Sequence, residues 1–244
     1  MRIIFFSDAH GNQYAARAFF QTVSPLDYDL LVFGGDVFGY YYGCNEVLDL
    51  LRQHHVLCLL GNHDQYYLDI LSGAREETAL VRRYGSTYRG IADRISLDNR
   101  NHLAGLNPSL TLETGDSRLL FAHGSPLDPL NGRIYPDHDF SDFFSPISDY
   151  DYIFLGHTHH RLYIKSNKTT VINPGSIGQQ RDGKGCGYVI LETRTGQVSF
   201  QNIQYANEPL IQEIKAHREA PEMEARLIEV LTRKPRIFSG GNTA

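Results

Sequence analysis

The sequence contains no tryptophan, and its three cysteines, Cys44, Cys58 and Cys186, stand far apart. They form neither a framework for several disulfides nor a Cys-x-x-Cys metal pair, which favours a cytoplasmic protein in a reducing compartment. No run of about 18 apolar residues is present, so a transmembrane helix is excluded. The apolar start, Arg2–Phe6, is too short for a secretory signal and runs directly into Asp8. These absences predict a soluble globular protein.

Neither sign of charge dominates strongly, since Lys and Arg total 23, Asp and Glu total 28, and the net charge is −5. This mild acidic balance argues against a broad nucleic-acid surface, although it is compatible with a local positive site. A chain of 244 residues can bury roughly 70–75% of the surface of its unfolded form, in one large domain or two small ones. Because no internal repeat, low-complexity tract or Pro/Ser-rich linker interrupts the chain, we predict one domain.

Extended and helical patterns alternate over the first sixty residues. Apolar runs predict buried strands at 2–6, 30–33 and 56–60, and amphipathic patterns predict helices at 13–20 and 45–53. Asn12 is placed to cap the first helix. The order strand, helix, strand, helix, strand implies parallel strands that are joined by right-handed crossovers.

The second half of the chain is richer in strands. They are predicted at 109–113, 118–122, 152–155, 162–166, 169–172, 188–192 and 198–205. Gly-containing turns join the first two of these strands, and also the last two, as hairpins. A parallel βαβ half therefore leads into a half with more antiparallel pairing.

Two helical segments and a tail complete the predicted organisation. The polar, helical stretch 65–106 is an insert that either caps the cleft or pads a sheet edge. We assign 1–206 to the main domain and 207–234 to a helical extension, which covers a sheet edge or contacts a second copy in a homodimer. Residues 235–244 are predicted to form a flexible tail.

Residues that carry chemistry concentrate where the predicted strands stop. Six apolar runs end in short polar turns: Asp8-Ala9-His10, Gly35-Asp36, Asn62-His63-Asp64, His123-Gly124, His157-Thr158-His159 and Asn173-Pro174-Gly175-Ser176. Ligands bind at the carboxyl ends of strands in parallel α/β sheets, so these turns could converge on one crevice. Taken singly, such motifs are most often turns or helix caps. Their joint occurrence after successive strands is what indicates a site.

The side chains gathered in these turns suit divalent cations. They comprise four imidazoles, two carboxylates and an amide oxygen, from Asp8, His10, Asp36, Asn62, His123, His157 and His159. So many polar groups cannot crowd together without a cation, and two divalent ions about 3.5–4 Å apart satisfy their number. Nitrogen and oxygen ligands without a thiolate favour Mn, Fe, Zn, Co or Ni over Ca or Mg.

The ordered motifs resemble those of a known family. The series Ser7-Asp8-Ala9-His10-Gly11-Asn12, Gly35-Asp36-Val37, Gly61-Asn62-His63-Asp64, His123-Gly124 and Gly156-His157-Thr158-His159 is similar to that of the calcineurin-like metallophosphoesterase superfamily. Three further motifs narrow the resemblance to its compact prokaryotic phosphodiesterase branch, often described as diadenosine tetraphosphatase-like: Asp36-Val37-Phe38-Gly39-Tyr40, Asn173-Pro174-Gly175-Ser176 and Gln180-Arg181-Asp182-Gly183. The resemblance covers about residues 1–205. It implies an α/β (α+β) fold, a four-layer α/β/β/α sandwich of two mixed β-sheets flanked by helices.

The resemblance also implies a role for each site residue. Of two divalent transition-metal ions, the first would be held by Asp8, His10 and His159 and the second by Asn62, His123 and His157, with Asp36 bridging the pair. Manganese is the preferred metal, with Fe, Zn, Ni or Co as alternatives. A metal-bridging hydroxide would attack phosphorus. His63 would donate a proton or a hydrogen bond to the substrate, and Asp64 would fix the ring of His63.

Departures from the family pattern bear on the substrate. The residues after the bridging aspartate read Gly39-Tyr40-Tyr41-Tyr42-Gly43, where relatives often have Gly-Tyr-Gly-Pro. Tyr40 and Tyr41 are candidates for stacking on a nucleobase or an aryl group, or else they pack into the core. Arg181 is a candidate for binding a second phosphate, or else it pairs with Asp182.

The predicted activity is hydrolysis of a phosphodiester or a nucleotide polyphosphate, such as diadenosine tetraphosphate, so the partner is a small phosphorylated or nucleotide substrate. A protein or small-molecule phosphomonoesterase is one alternative. Protein Ser/Thr phosphatases, however, carry Asn-His-Glu where this chain has Asn62-His63-Asp64. A non-enzymatic scaffold on the same fold is the alternative from another class. Such scaffolds tend to lose ligands or the catalytic histidine, and this chain keeps them all.

Overall fold

The first apolar runs form neighbouring parallel strands. The computed structural model describes residues 1–115 and 117–233. Its strands β1 (Arg2–Phe6), β2 (Leu30–Phe33) and β3 (Leu57–Cys58) pair in parallel, and the helices α1 (Gln13–Val23) and α2 (Cys44–Gln53) cross over between them. The side chain of residue 12 accepts a hydrogen bond from the amide of residue 15, so the predicted cap of α1 is confirmed.

The helical insert separates β3 from the second half of the chain. Its helices are α3 (Asn62–Leu71), α4 (Glu77–Tyr84), α5 (Ile91–Arg94) and α6 (Leu97–Ala104). The strands that follow are β4 (Ser109–Thr114), β5 (Ser117–Ala122), β6 (Tyr152–Leu155), β7 (Arg161–Ser166), β8 (Thr169–Pro174), β9 (Gly187–Glu192) and β10 (Gln197–Asn202). The last of these is shorter than the predicted strand 198–205.

The C-terminal segment, predicted as a helical extension over 207–234, consists of two helices. They are α7 (Glu208–Ala216) and α8 (Pro221–Thr232). The break follows from Pro221, which has no amide hydrogen to donate and therefore begins a helix more easily than it continues one. The predicted tail, 235–244, lies outside the described residues.

Two mixed five-stranded sheets form the centre of the molecule. The first has the order β10-β9-β1-β2-β3, in which β9 runs antiparallel to β1. The second has the order β4-β5-β6-β8-β7, in which a parallel core is flanked by antiparallel partners. The predicted sandwich of two mixed sheets with helices is confirmed. The expectation of a more antiparallel second half holds only in part, because β5, β6 and β8 are mutually parallel.

Aromatic side chains fill the space between the sheets. Phe121 and Phe154 of the second sheet stack with ring centroids 4.9 Å apart, and Phe5 of β1 lies 5.1 Å from Phe154. On the opposite face of β1, Phe6 stacks on Phe19 of α1 at 3.9 Å. Because both faces of the first sheet are covered, β1 is apolar at successive positions instead of alternating.

No helix within the described parts of the chain has the length and apolar character needed to cross a membrane.

Replacing Phe154 by alanine should lower the free energy of unfolding by about 3–5 kcal/mol, because a fully buried ring between the sheets would leave a cavity. Urea unfolding followed by circular dichroism measures the change. Leu127→Ala is the control, since that side chain is 74% exposed and its removal should cost less than about 0.5 kcal/mol. Equal losses in the two variants would contradict this account of the core.

Candidate metal centre

The polar turns that follow the strands come together where the ends of the two sheets lie side by side. Asp8 follows β1 and Asp36 follows β2, and the amide of Asp8 donates to the carbonyl of Gly35 at 3.0 Å. The second sheet contributes His123 after β5 and His157 after β6. The amide of His157 lies 3.1 Å from Oδ2 of Asp8, so the two sheets are in contact at this point.

Backbone strain is concentrated in the same turns. Five of the seven predicted ligands have φ between 50° and 66°, in the left-handed region: Asp8, His10, Asp36, His157 and His159. Residues with a β-carbon adopt this conformation at a cost of order 1–3 kcal/mol each, and it persists only where the surroundings enforce it. Such strain clusters at functional sites, where it directs side chains toward a shared target.

Backbone carbonyls fix the tautomers of three imidazoles. The acceptors of their Nδ1 atoms are carbonyl oxygens at 2.6–2.8 Å, in the pairs His10–Phe38, His123–Gly34 and His159–Gln179. A carbonyl oxygen can only accept, so Nδ1 carries the ring proton and Nε2 keeps its lone pair. In the fourth imidazole, His157, the buried Nε2 has no hydrogen-bond partner among the described residues.

The free nitrogens converge on one another. Nε2 of His10 lies 2.9 Å from Nε2 of His159, and Nε2 of His123 lies 3.1 Å from Oδ1 of Asn62. Burial lowers the pKa of His10 and of His159 below the usual range, so both rings are neutral at pH 7. Two neutral rings that each present a lone pair at 2.9 Å repel unless a cation lies among them. This arrangement fits the metal ions that the donor set suggests.

Asp36 is shared by two groups of potential ligands. The ligand atoms of Asp8, His10, Asp36 and His159 lie within 4.8 Å of one another, and so do those of Asp36, His123 and His157. Oδ2 of Asp36 is 3.6 Å from Nε2 of His10, whereas Oδ1 is 3.5 Å from Nε2 of His123. One carboxylate therefore faces both groups, which is the placement that a bridging ligand requires.

The two carboxylates in the centre differ in acidity. Burial raises the pKa of Asp36 well above its usual range, and the charges of Asp8 and Asp64 raise it further. Burial also acts to raise the pKa of Asp8, but the combined effect of the neighbouring His159, His123 and Ser7 outweighs it and the pKa falls to about 2. An added cation would remove the penalty that Asp36 meets when it ionises beside these carboxylates.

The structure gives Asp64 a different position from the one predicted. Its carboxylate accepts hydrogen bonds from four backbone amides, those of Gly61, Asp36, Val37 and Phe38, at 2.8–3.2 Å. It therefore ties the turn after β2 to the start of α3. The prediction that Asp64 fixes the ring of His63 is wrong, because every one of these contacts is to backbone nitrogen.

The ring of His63 is held by a tyrosine of the insert instead. Nδ1 of His63 lies 2.8 Å from the hydroxyl of Tyr88. The ring of Tyr84 packs against that of His63 in a T-shape with centroids 4.5 Å apart. A β-carbon at position 39 would collide with the ring of His63, so Gly39, with φ of 90°, leaves the space that the imidazole occupies.

A cavity of about 320 Å³ opens over the centre, and the predicted substrate contacts divide between its lining and the core. Tyr40 and Arg181 both line it, and Nη2 of Arg181 donates to the hydroxyl of Tyr40 at 2.8 Å. Arg181 also donates to Gln179 rather than pairing with Asp182. Tyr41 is fully buried and donates to a backbone carbonyl of α8 at 3.3 Å. The prediction that Tyr41 contacts substrate is therefore wrong.

Several residues that line the cavity were not predicted from the sequence. They are Arg83 and Tyr84 of the insert, Arg133 and Tyr135 of the loop after β5, Gln179, and Arg226 and Val230 of α8. The pair Arg82-Arg83 was visible as a charged stretch of the insert. No spacing in the sequence linked it to the motifs, since its approach depends on how the helices pack.

Comparison with protein families gives a match over most of the chain. The model of the calcineurin-like phosphoesterase superfamily domain matches residues 1–196. A relative in sequence is the uncharacterized protein MJ0912 of Methanocaldococcus jannaschii. It is 26% identical over 217 residues, which are 82% of this chain and 86% of that protein.

Solved structures agree with this match. A metallophosphoesterase from Sphaerobacter thermophilus superposes with a TM-score of 0.75 at 25% identity, over 93% of this chain and 99% of that one. The hypothetical protein PH1004 from Pyrococcus horikoshii OT3 superposes with a TM-score of 0.78 at 18% identity, over 93% and 97% of the two chains. The likeness to PH1004 shows the fold. The likeness to the Sphaerobacter thermophilus protein shows that this fold is that of a metallophosphoesterase.

Replacing Asp36 by asparagine should lower the content of both bound ions, because one side chain faces both ligand groups and asparagine brings no negative charge. Metal per chain is measured by plasma mass spectrometry after loading with Mn²⁺ and desalting. Asp142→Asn is the matched control, since that aspartate is exposed in the loop between β5 and β6. An unchanged metal content in the Asp36 variant would exclude the bridging role.

Proposed function

We propose that this chain, which belongs to the calcineurin-like phosphoesterase superfamily and is a metal-dependent phosphoric ester hydrolase, cleaves a phosphodiester or a nucleotide polyphosphate at a dinuclear centre. One observation carries the proposal. Asp36 faces two groups of buried ligands, and in one of them two imidazole nitrogens with free lone pairs lie 2.9 Å apart. This arrangement supports a pair of cations that share a carboxylate.

The proposed ligands fall into the two groups that surround Asp36. Asp8, His10 and His159 would hold one ion, and Asn62, His123 and His157 the other. The mixture of imidazole nitrogen and oxygen ligands suits a divalent transition metal. Manganese is our first choice, with Fe, Zn, Ni or Co as alternatives. When bound, the ions would supply positive charge for the phosphate and acidify the water that attacks phosphorus.

The ligand residues prepare this centre before any ion arrives. Their carbonyl partners hold Nε2 of three imidazoles unprotonated, so no ring proton has to be displaced when metal binds. Asp64 keeps the turn that carries Asp36 fixed through four backbone amides. The site therefore loses little conformational entropy on loading, which favours a rigid geometry for catalysis.

His63 is the proposed donor to the oxygen that gains negative charge as the P–O bond breaks. Its ring lines the cavity, and its centroid lies 5.0 Å from that of the ligand His10. Burial lowers the pKa of His63 well below its usual range, so the neutral ring acts as a hydrogen-bond donor. If the hydroxyl of Tyr88 donates to Nδ1, the ring proton resides on Nε2, which is the nitrogen left for substrate.

Protein stripped of metal with a chelator should regain hydrolysis of phosphodiesters or dinucleoside polyphosphates when Mn²⁺ is restored. His63→Ala should bind the same amount of metal but turn over at least ~100-fold more slowly, the usual loss when one transition-state hydrogen-bond donor is removed. The measurement is a panel of diesters, monoesters and dinucleoside polyphosphates assayed with Mn, Ni, Co, Fe and Zn. His138→Ala, in an exposed loop, is the control that keeps its activity. Equal rates with and without metal would refute the proposal, and cleavage of monoesters alone would favour a phosphomonoesterase.

Tyr88→Phe should lower kcat roughly 3- to 10-fold with little change in KM or metal content, since one neutral hydrogen bond contributes about 0.5–1.5 kcal/mol. The pH profile of kcat should shift as well, because the hydroxyl sets which ring nitrogen of His63 holds the proton. Tyr67→Phe is the matched control, since its buried hydroxyl has no hydrogen-bond partner among the described residues. Identical kinetics in both variants would remove Tyr88 from the mechanism.

A further inference from the structure

Four arginines from four separate segments line the cavity above the metal centre. They are Arg83 of α4, Arg133 of the loop after β5, Arg181 of the loop after β8 and Arg226 of α8. Among the residues that the structure describes, the only carboxylate in the lining is that of Asp36, which belongs to the candidate metal centre. The mouth of the cavity is therefore strongly positive, although the protein as a whole has a net charge of −5.

Within the described residues, none of these four guanidinium groups pairs with a carboxylate. Five other arginines do so, in the pairs Arg2–Glu192, Arg52–Asp98, Arg75–Asp69, Arg118–Glu113 and Arg233–Glu229. Several further arginines, such as Arg82, also have no carboxylate partner among the described residues, so what distinguishes these four is that they surround one cavity. Four unpaired cations around one cavity repel one another, and an anion that enters the cavity relieves that repulsion. The arrangement therefore points to an anionic ligand.

We propose that Arg83, Arg133, Arg181 and Arg226 form a second phosphate subsite, which binds a phosphoryl group linked to the one that is cleaved. This rests on the proposed function and narrows the substrate to a chain of linked phosphates, as in a nucleoside polyphosphate. Guanidinium groups bind phosphate oxygens in a bidentate manner. In hydrolysis, water oxygen joins phosphorus, the bridging P–O bond breaks, and the released phosphate oxygen takes up a proton.

The subsite adjoins the proposed donor His63. The guanidinium of Arg83 lies over the ring of Tyr84, 5.2 Å from its centroid, and that ring packs on His63. On the other side, the guanidinium of Arg181 is held by Tyr40 at 2.8 Å and by Gln179 at 2.6 Å. Because a guanidinium has five N–H donors, several remain for a ligand.

The helical wall that carries two of the arginines is fastened to the rest of the protein. Arg226 of α8 donates to the backbone carbonyl of Arg83 in α4. Oε1 of Glu219, between α7 and α8, accepts from the amide and hydroxyl of Ser86 and from the hydroxyl of Tyr42 at 2.6–2.8 Å. These contacts join the insert and the C-terminal helices into one wall of the cavity.

The amount of positive charge favours linked phosphates over a single one. Two bound divalent ions would bring +4 to a centre whose carboxylates, Asp8 and Asp36, return −2, and this charge would already suffice for a simple diester with one negative charge. Four more cations would be in excess for such a substrate. A polyphosphate carries about one negative charge on each further phosphate, and it extends from the metal centre toward the rim, where the arginines lie.

The test compares a substrate that has linked phosphates with one that has a single phosphate. In the double variant Arg83→Gln/Arg226→Gln, the ratio of kcat/KM for diadenosine tetraphosphate to that for bis(p-nitrophenyl) phosphate should fall at least about tenfold. Both side chains are exposed, so the variant should fold, and its melting temperature verifies this. Arg82→Gln is the matched control, because this neighbour in α4 does not line the cavity and should keep the wild-type ratio.

A binding measurement separates the subsite from the catalytic proposal. Isothermal titration with inorganic tripolyphosphate, on full-length protein stripped of metal, should show affinity that falls at least about tenfold in the double variant and weakens with salt. If wild-type protein binds tripolyphosphate but cleaves no phosphoester after loading, the subsite stands and the proposed function fails. If the double variant keeps both the ratio and the affinity, the subsite is refuted while hydrolysis remains. The same titration is repeated with a single-stranded oligonucleotide. If the double variant loses affinity for the oligonucleotide but keeps its affinity for tripolyphosphate, the polyphosphate class is refuted in favour of nucleic acid.

Discussion

The crowding of buried imidazoles and carboxylates at one point is the constraint on which the rest of the structure depends. Without a cation, Nε2 of His10 faces Nε2 of His159 at 2.9 Å, and Asp36 resists ionisation beside two other carboxylates. The fold maintains this unfavourable arrangement through carbonyl acceptors on Nδ1 and through strained turns that the ends of two sheets hold in place. The strained turns and crowded side chains of this centre thus lower the stability of the folded protein, and bound cations would restore it.

Much of the centre could be predicted from the sequence because its position follows from strand ends. The parallel register of β1 with β2 places Asp8 beside the turn that carries Asp36, and parallel pairing of β5 with β6 does the same for His123 and His157. The ends of the apolar runs mark where such strands stop. A polar residue just beyond that point therefore lies at the carboxyl edge of the sheet. The two mixed sheets themselves came from the family resemblance, since local patterns do not reveal that β9 joins β1.

The errors concern side chains whose direction depends on distant packing. Tyr40 has φ of 66°, so the chain reverses there and Tyr41 points into the core against α8, some 186 residues later. Asp64 stands at the third position of α3, where its carboxylate accepts the local amide of Gly61. Packing brings three further amides to it from the turn after β2, so it holds backbone rather than the ring of His63. Its place beside that ring is taken by Tyr88, which no motif marks and which the insert brings in from 25 residues away.

The cavity therefore combines two parts with different origins. The proposed metal ligands come from turns at sheet ends, where hydrogen bonds and strain leave little freedom. The arginines come from the insert, from two loops and from α8, whose positions depend on helix packing and on the contacts of Glu219. If the proposed function holds, the reaction depends on the first part and the choice among phosphorylated substrates on the second, so changes in the helical segments would alter specificity without disturbing the centre. This division explains why motifs alone indicate a chemistry but not a substrate.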